Sequence, residues 1–251
     1  MPKTTTNKAL LAAGLTLISI SLSNLVPAAN AAPVESESTA QACAVSDGRG
    51  VDIQPDPART DIATKDALAS IESNEVNVNA TNLTTSDASA YTITTGEETL
   101  NAVTIPVAGE YSYTSNVTII TNTAGDIVQY SETLVDEADN GNFRVRVYNN
   151  DKLTKNEVTT LAFMSDDELR TASVVDPNEP MAAARSVGST VACLAAVAGI
   201  GGPVAYLIAS ACAGACVGVA TGVGAAVCAA CIGGYATLGA GGMTAAASCF
   251  K

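Results

Sequence analysis

The chain has 251 residues, of which 25 are acidic and 12 are basic, and it contains neither histidine nor tryptophan. The absence of histidine excludes Ser-His and Cys-His nucleophile pairs and most catalytic zinc sites. The acidic balance also argues against nucleic-acid binding, because contacts to phosphates need clustered Lys and Arg. We therefore predict a protein that is not an enzyme, binds no nucleic acid and needs no cofactor or metal.

The charges divide the chain into two unlike segments. All acidic residues lie between Glu35 and Glu179, and nine basic residues share this middle part of the chain, which leaves it with a net charge of −16. From Ser186 onwards, Lys251 is the one charged side chain. Such an asymmetry predicts two parts with different physical roles.

The first residues carry the pattern of an export signal. Lys3 and Lys8 precede an apolar run of roughly 14 residues that starts at Ala9, whereas a membrane span needs roughly 20. The small residues that lead to Ala31 form a cleavage pattern. We predict a secretory signal peptide over residues 1–31, removed by signal peptidase after Ala31. The cysteines would then reach an oxidising compartment outside the cell, where disulfides persist.

Two segments follow the signal peptide. Residues 32–56 are polar and rich in turn formers, and are predicted to be a flexible linker. Residues 57–180 are predicted to be an acidic α+β proregion that begins with a helix near 57–72. It continues as a small antiparallel β-meander of up to about six strands, because Val, Ile, Thr and Tyr recur at period two between Gly and Asp turns.

Two local signals inside the proregion are specific. Asn140-Gly141, between two alternating stretches, predicts a tight hairpin turn, because this dipeptide favours positive φ. Ser165 and Glu168 have the spacing of a capping box and predict the start of a short helix.

The last quarter of the chain is rich in cysteine, glycine and alanine. Residues 181–190 are predicted to be a linker, and residues 191–251 a disulfide-linked Ala/Gly-rich bundle of short helices. Six cysteines allow three disulfides in 15 pairings. We favour a pair between the first and last of them plus two disulfides across a helical hairpin, but the sequence leaves the pairing open, and it assigns no role to Cys43. The six candidates are Cys193, Cys212, Cys216, Cys228, Cys231 and Cys249.

Three interpretations of the cysteine-rich segment compete. The C-x3-C and C-x2-C spacings suit zinc, but the segment lacks histidine and polar groups that would orient the ligands. The uncharged run is long enough for membrane helices, and Gly214, Gly218 and Gly222 recur every four residues, which would let such helices pack closely. A compact disulfide-bonded peptide is the interpretation that we favour, since a core of Ala and Gly buries little area and needs covalent support.

The order of the parts and the tail sequence resemble a known family. The tail "CLAAVAGIGGPVAYLIASACAGACVGVATGVGAAVCAAC", with "SCF" near its end, is similar to the cysteine-rich peptides of the halocin C-eight type, a bacteriocin-like antimicrobial family. The similarity covers about residues 190–251. The resemblance implies a mature peptide that is released by proteolysis and acts on competing cells, and a proregion that protects the producer.

These observations predict a secreted precursor of a membrane-active antimicrobial peptide. Arg185 lies in the linker just before the composition changes and is the candidate cut site for a processing protease. The released peptide would enter the membrane of a target cell, whereas its own proregion would keep it soluble and neutralise it until then. The alternative is a secreted β-rich binding module that a C-terminal apolar anchor holds on the membrane.

Overall fold

A seven-stranded antiparallel sheet lies at the centre of the structure, a computed structural model that describes residues 51–96, 98–173, 188–216, 222–235 and 246–250. Each strand pairs with the next one along the chain, so the sheet is a meander. The predicted meander is therefore confirmed, with one strand more than the six expected. The strands are β1 (Val51–Pro55), β2 (Ser89–Thr95), β3 (Glu98–Pro106), β4 (Asn116–Thr121), β5 (Ile127–Glu137), β6 (Asn142–Asn149) and β7 (Lys152–Ala162).

The hairpin between β5 and β6 shows how the local sequence sets this topology. Gly141 has a φ of +77°, the left-handed conformation that a tight turn needs. In the strand that follows, Phe143 is fully buried, whereas Arg144 and Arg146 point to the opposite face. Both guanidinium groups lie 2.7 Å from the carboxylate of Asp136 on β5. The predicted hairpin is confirmed.

Helices cover both faces of the sheet. One face carries α1, and the other carries the three helices of the cysteine-rich segment. Because both faces are covered at its centre, β4 is buried at five successive residues rather than at alternate ones. The helices are α1 (Thr60–Glu72), α2 (Asp166–Ala172), α3 (Ser189–Ala198), α4 (Gly202–Cys216) and α5 (Gly222–Gly233).

The capping box predicted at the start of α2 is present. The hydroxyl of Ser165 accepts a hydrogen bond from the backbone N–H of Glu168, and the carboxylate of Glu168 accepts one from the N–H of Ser165 at 2.9 Å. These two bonds satisfy donors that the first turn of a helix otherwise leaves without partners. The expected helix near 57–72 is also present as α1, although it begins at Thr60.

The structure differs from the predicted flexible linker over residues 32–56 at the end of that range. Val51–Pro55 form β1, an edge strand that pairs with β2 and buries Ile53. The strand has five residues, too few for the alternation of apolar and polar side chains to stand out from the polar residues before it. Residues 32–50 of the predicted linker lie outside the described residues.

Candidate functional site

The cysteine-rich part of the chain folds into α3, α4 and α5, with a short turn at residues 246–250. We call the described residues between 188 and 250 the helical region, and those between 51 and 173 the sheet region. The breaks between helices follow from glycine and proline. Gly199 ends α3 with a φ of +64°, and Pro203 occupies the first turn of α4, where its missing N–H costs no helical hydrogen bond.

Three disulfides hold the helical region together, and they use all six predicted cysteines. Cys193–Cys249 joins α3 to the C-terminal turn, whereas Cys212–Cys231 and Cys216–Cys228 both join α4 to α5. The bond between the first and last of these cysteines and the two bonds across the hairpin agree with the arrangement that we favoured, whereas the sequence left open which cysteine of α4 pairs with which cysteine of α5. Five of the six cysteines are buried, so the disulfides form part of the core.

The helical region shares its hydrophobic core with one face of the sheet. α5 lies across β1 to β4, and α4 lies over β6 and β7. Large side chains of both regions meet in this layer, so the helical region and this face of the sheet share one core. The shared core includes Leu194, Val204, Leu207, Ile208 and Ile232 of the helical region and Ile53, Ile93, Leu100, Val135, Phe143 and Val145 of the sheet region.

Few side-chain hydrogen bonds cross the apolar layer among the described residues, and each joins a residue of the sheet region to one of the helical region. The hydroxyl of Tyr91 on β2 donates to the backbone carbonyl of Gly233 at the end of α5, at 3.1 Å. The ammonium of Lys155 on β7 donates to the backbone carbonyl of Ser210 in α4. The hydroxyl of Ser210 in turn donates to the carboxylate of Glu157 at 3.2 Å.

Lys155 and Glu157 also form an ion pair, with 2.7 Å between the ammonium and a carboxylate oxygen. The hydrogen bond from Lys155 lowers the pKa of Glu157, and the hydrogen bond from Ser210 acts in the same direction. The carboxylate therefore stays charged at neutral pH beside an otherwise uncharged helix.

Two glycines allow the regions to approach closely, one beside backbone atoms and one beside a side chain. A Cβ atom at Gly201 would lie 1.7 Å from the backbone carbonyl oxygen of Ala172 in α2. A Cβ atom at Gly234 would lie 2.8 Å from the side-chain oxygen of Asn116 on β4. By contrast, a Cβ atom at Gly202, the neighbour of Gly201, would meet no atom within 4 Å. The docking thus depends on particular glycines rather than on glycine content.

Tyr235 follows the second of these close contacts and is 3% exposed. Its hydroxyl has no hydrogen-bond partner among the described residues. Burial without a partner disfavours the phenolate, which raises the pKa of Tyr235 above its ordinary value. Tyr235 therefore contributes to the interface as a large apolar ring.

Comparisons with protein-family models, with curated proteins and with solved structures find no match for this chain. The resemblance to peptides of the halocin C-eight type thus stays a prediction, and the function has to be argued from the geometry.

Two further features bear on the interpretations that the sequence left open. Within the described ranges, no group of three or more His, Cys, Asp or Glu side chains is placed to hold a metal ion. Among the helices that the structure describes, none combines the length and the apolar character that crossing a membrane requires.

A cavity of about 90 Å³ lies between α1 and the sheet, on the face opposite to the helical region's core. Arg59 and Asp66 contribute charged groups to its lining. The guanidinium of Arg59 is already hydrogen-bonded to the side-chain oxygen of Asn101 at 2.6 Å. The cavity is not connected to any residue that the sequence singled out.

The remaining predicted site residues are only partly described. Gly214 lies exposed on α4, and a Cβ atom there would meet nothing within 4 Å, so it packs against no other helix in the described part of the chain. Gly222 is the first residue of α5. The two processing candidates Ala31 and Arg185, together with Gly218 and Cys43, lie outside the described residues.

Sequence analysis missed the residues through which the regions dock. It assigned no contact role to Gly201 or to Gly234. Glycine permits a close approach of the backbone, but the segment is rich in glycine, so glycine content alone does not single out these two positions. The roles of Tyr91, Lys155 and Glu157 carry no local signal at all.

Proposed function

We propose that this chain is an exported precursor in which the sheet region shields a membrane-active, disulfide-bonded antimicrobial peptide formed by the helical region. The observation that carries the proposal is the shared core. The large apolar side chains of an otherwise Ala- and Gly-rich segment are buried in the layer that faces the sheet.

The sheet can shield the peptide because the sheet and a lipid bilayer would compete for the same apolar side chains. Leu207, Ile208 and Ile232 are fully buried, and each would gain roughly 2 kcal/mol by leaving water for either the sheet or a lipid bilayer. As long as the sheet holds them, a bilayer offers little further gain. Separation from the sheet would restore the driving force for membrane binding.

The charge distribution supports the same conclusion. Between Ser186 and Phe250 there is no charged side chain, so entry into lipid would require no desolvation of a charge. The sheet region carries most of the acidic residues and would keep the precursor in solution. The three disulfides would let the helical region keep its compact form after separation, and they are typical of proteins in oxidising compartments.

Dye release from vesicles tests the proposal. Trypsin can cut after Arg185 but finds no Lys or Arg between residues 186 and 250, so it yields the segment whole and oxidised. We expect this segment to release dye from phosphatidylethanolamine–phosphatidylglycerol vesicles and to inhibit growth of related strains, whereas the intact chain does neither. Arg185→Gln is the matched control, because it removes this cut site and should delay release of the segment while leaving the folded regions unchanged.

Two results would contradict the proposal. One is an oxidised segment that neither permeabilises vesicles nor inhibits growth. The other is recovery of the intact chain from the membranes of producing cells, which would favour a binding module held by a C-terminal anchor.

A further inference from the structure

The helices of the helical region carry little information about how they should rotate against one another. Their less buried sides carry no charged residue; on α4 that side consists of Ala, Ser and Gly together with Pro203 and Tyr206. A helix with weak contrast between its faces has a weakly defined orientation in a core. Since rotation decides which cysteines face each other, the helices by themselves specify their disulfides poorly.

Chain entropy favours the wrong pairs. Cys212 and Cys216 are four residues apart and Cys228 and Cys231 are three apart, whereas the observed disulfides between α4 and α5 span 19 and 12 residues. In an unfolded chain the cysteines that are close in sequence meet at a lower cost in chain entropy. Something outside the cysteine sequence must therefore favour the longer pairs.

The contacts with the sheet region supply that preference. The hydrogen bond from Tyr91 to Gly233 and the close contact at Gly234 fix the position of the C-terminal end of α5 against the sheet. Ser210, held by Lys155 and Glu157, sets the rotation of α4 two residues before Cys212.

The start of α4 is set by Gly201, whose N–H donates to the carbonyl of Ser173 at 2.8 Å. With both helices held against the sheet, Cys212 faces Cys231 and Cys216 faces Cys228.

We infer that the sheet region is a folding template that selects one disulfide pairing for the helical region. Each disulfide forms when two thiols give two electrons and two protons to a disulfide oxidant, which leaves as two thiols. The sheet region takes no part in this exchange and acts by positioning α4 and α5. The role goes beyond shielding and does not depend on any membrane activity.

Oxidative refolding of the full mature chain tests the inference. The chain, in a Cys43→Ser background, is reduced in guanidinium chloride and diluted into reduced and oxidised glutathione. The pairing is then mapped by elastase digestion and mass spectrometry. The key pair is Gly201→Ala against Gly202→Ala, adjacent substitutions of which the first alone meets the backbone of α2.

We expect wild type and Gly202→Ala to return mainly to the pairing described above. In Gly201→Ala the share of this pairing should fall severalfold, toward the one in 15 of random pairing, with Cys212–Cys216 and Cys228–Cys231 rising.

A milder variant decides the matter if Gly201→Ala gives no soluble product. Tyr91→Phe combined with Glu157→Ala removes two polar contacts on the sheet side and leaves the sequence of the helical region unchanged. Its control, Tyr148→Phe with Glu137→Ala, makes the same changes away from α4 and α5. The inference is overturned if the soluble variants regain the wild-type pairing in the same proportion and at the same rate as their controls.

Discussion

In the sheet region the fully buried side chains are large, among them Ile93, Leu134 and Phe143, whereas more than half of the buried apolar positions in the helical region are Ala or Cys. The described part of the sheet region contains no disulfide, and the helical region contains three. Small side chains let helices approach closely but bury little area per residue. The comparison shows that the helical region, which lacks a large core of its own, is held together by its disulfides and by packing against the sheet.

The largest expected effect comes from the longest disulfide loop. Replacing Cys193 and Cys249 with Ala opens a loop of 56 residues, which on a chain-entropy account should lower the free energy of unfolding by about 4 kcal/mol. Replacing Cys216 and Cys228 opens a loop of 12 residues and should cost about 3 kcal/mol. Urea unfolding followed by circular dichroism measures both values. The reverse order would contradict the entropic account of these links.

The stability of the sheet region, which has no disulfide among its described residues, should depend on a buried carboxylate. Glu132 is 1% exposed and accepts hydrogen bonds from the backbone N–H groups of Asn79 and Ala80 at 2.7 to 3.1 Å. Glu132→Ala leaves these donors buried without partners and should cost about 3 kcal/mol in urea unfolding. Glu137→Ala, at an exposed position on the same strand, should change stability by less than about 0.5 kcal/mol. Similar losses of stability in both variants would show that the hydrogen bonds to the buried carboxylate do not stabilise the sheet region.

Two tyrosines at the boundary of the regions should respond in opposite ways. Tyr91→Phe removes the hydrogen bond to Gly233 and should cost about 1 kcal/mol. Tyr235→Phe removes a buried hydroxyl that has no partner among the described residues, and should leave stability unchanged or raise it. Thermal unfolding of the two variants compares them directly. A loss in Tyr235→Phe as large as that in Tyr91→Phe would reveal a hydrogen bond to that hydroxyl.

A smaller gain is expected on the exposed side of α4. Gly214→Ala adds a methyl group that meets no atom within 4 Å and should raise the free energy of unfolding by about 0.5–1 kcal/mol through helix propensity. Gly234→Ala should instead destabilise, because its Cβ would meet Asn116. The same thermal measurement separates the two. A destabilised Gly214→Ala would indicate that this side of α4 is covered in solution.

The smallest effect is the pH dependence of the contact at Ser210. The pKa of Glu157 is lowered in the folded state, so its contribution is present above the unfolded value near 4.5 and is lost as the pH falls through the lower folded value. The carboxylate is 41% exposed, so the contribution should be less than about 0.5 kcal/mol. Urea unfolding of wild type and Glu157→Gln at neutral and acidic pH should show a difference that narrows in acid. A difference that is constant with pH would contradict the assignment.

Much of the architecture could be predicted because its signals are local. Asn140-Gly141 and the Ser165/Glu168 capping box act over a few residues, and both elements formed where the sequence indicated. Gly199 and Pro203 also act locally, at the end of α3 and in the first turn of α4. The β1 strand was missed because an edge strand of five residues is stabilised by pairing with β2, and this pairing leaves no signal in the local sequence.

The sequence by itself determined the charge division, the meander and the set of cysteines able to pair, because periodicity, turn chemistry and composition act along the chain. Only the tertiary structure decided that the helices dock on the sheet, which glycines touch it, and which cysteines face each other. These outcomes depend on contacts between residues such as Tyr91 and Gly233, far apart in the chain, and uncharged helices rich in Ala and Gly give little local pattern from which such contacts can be inferred.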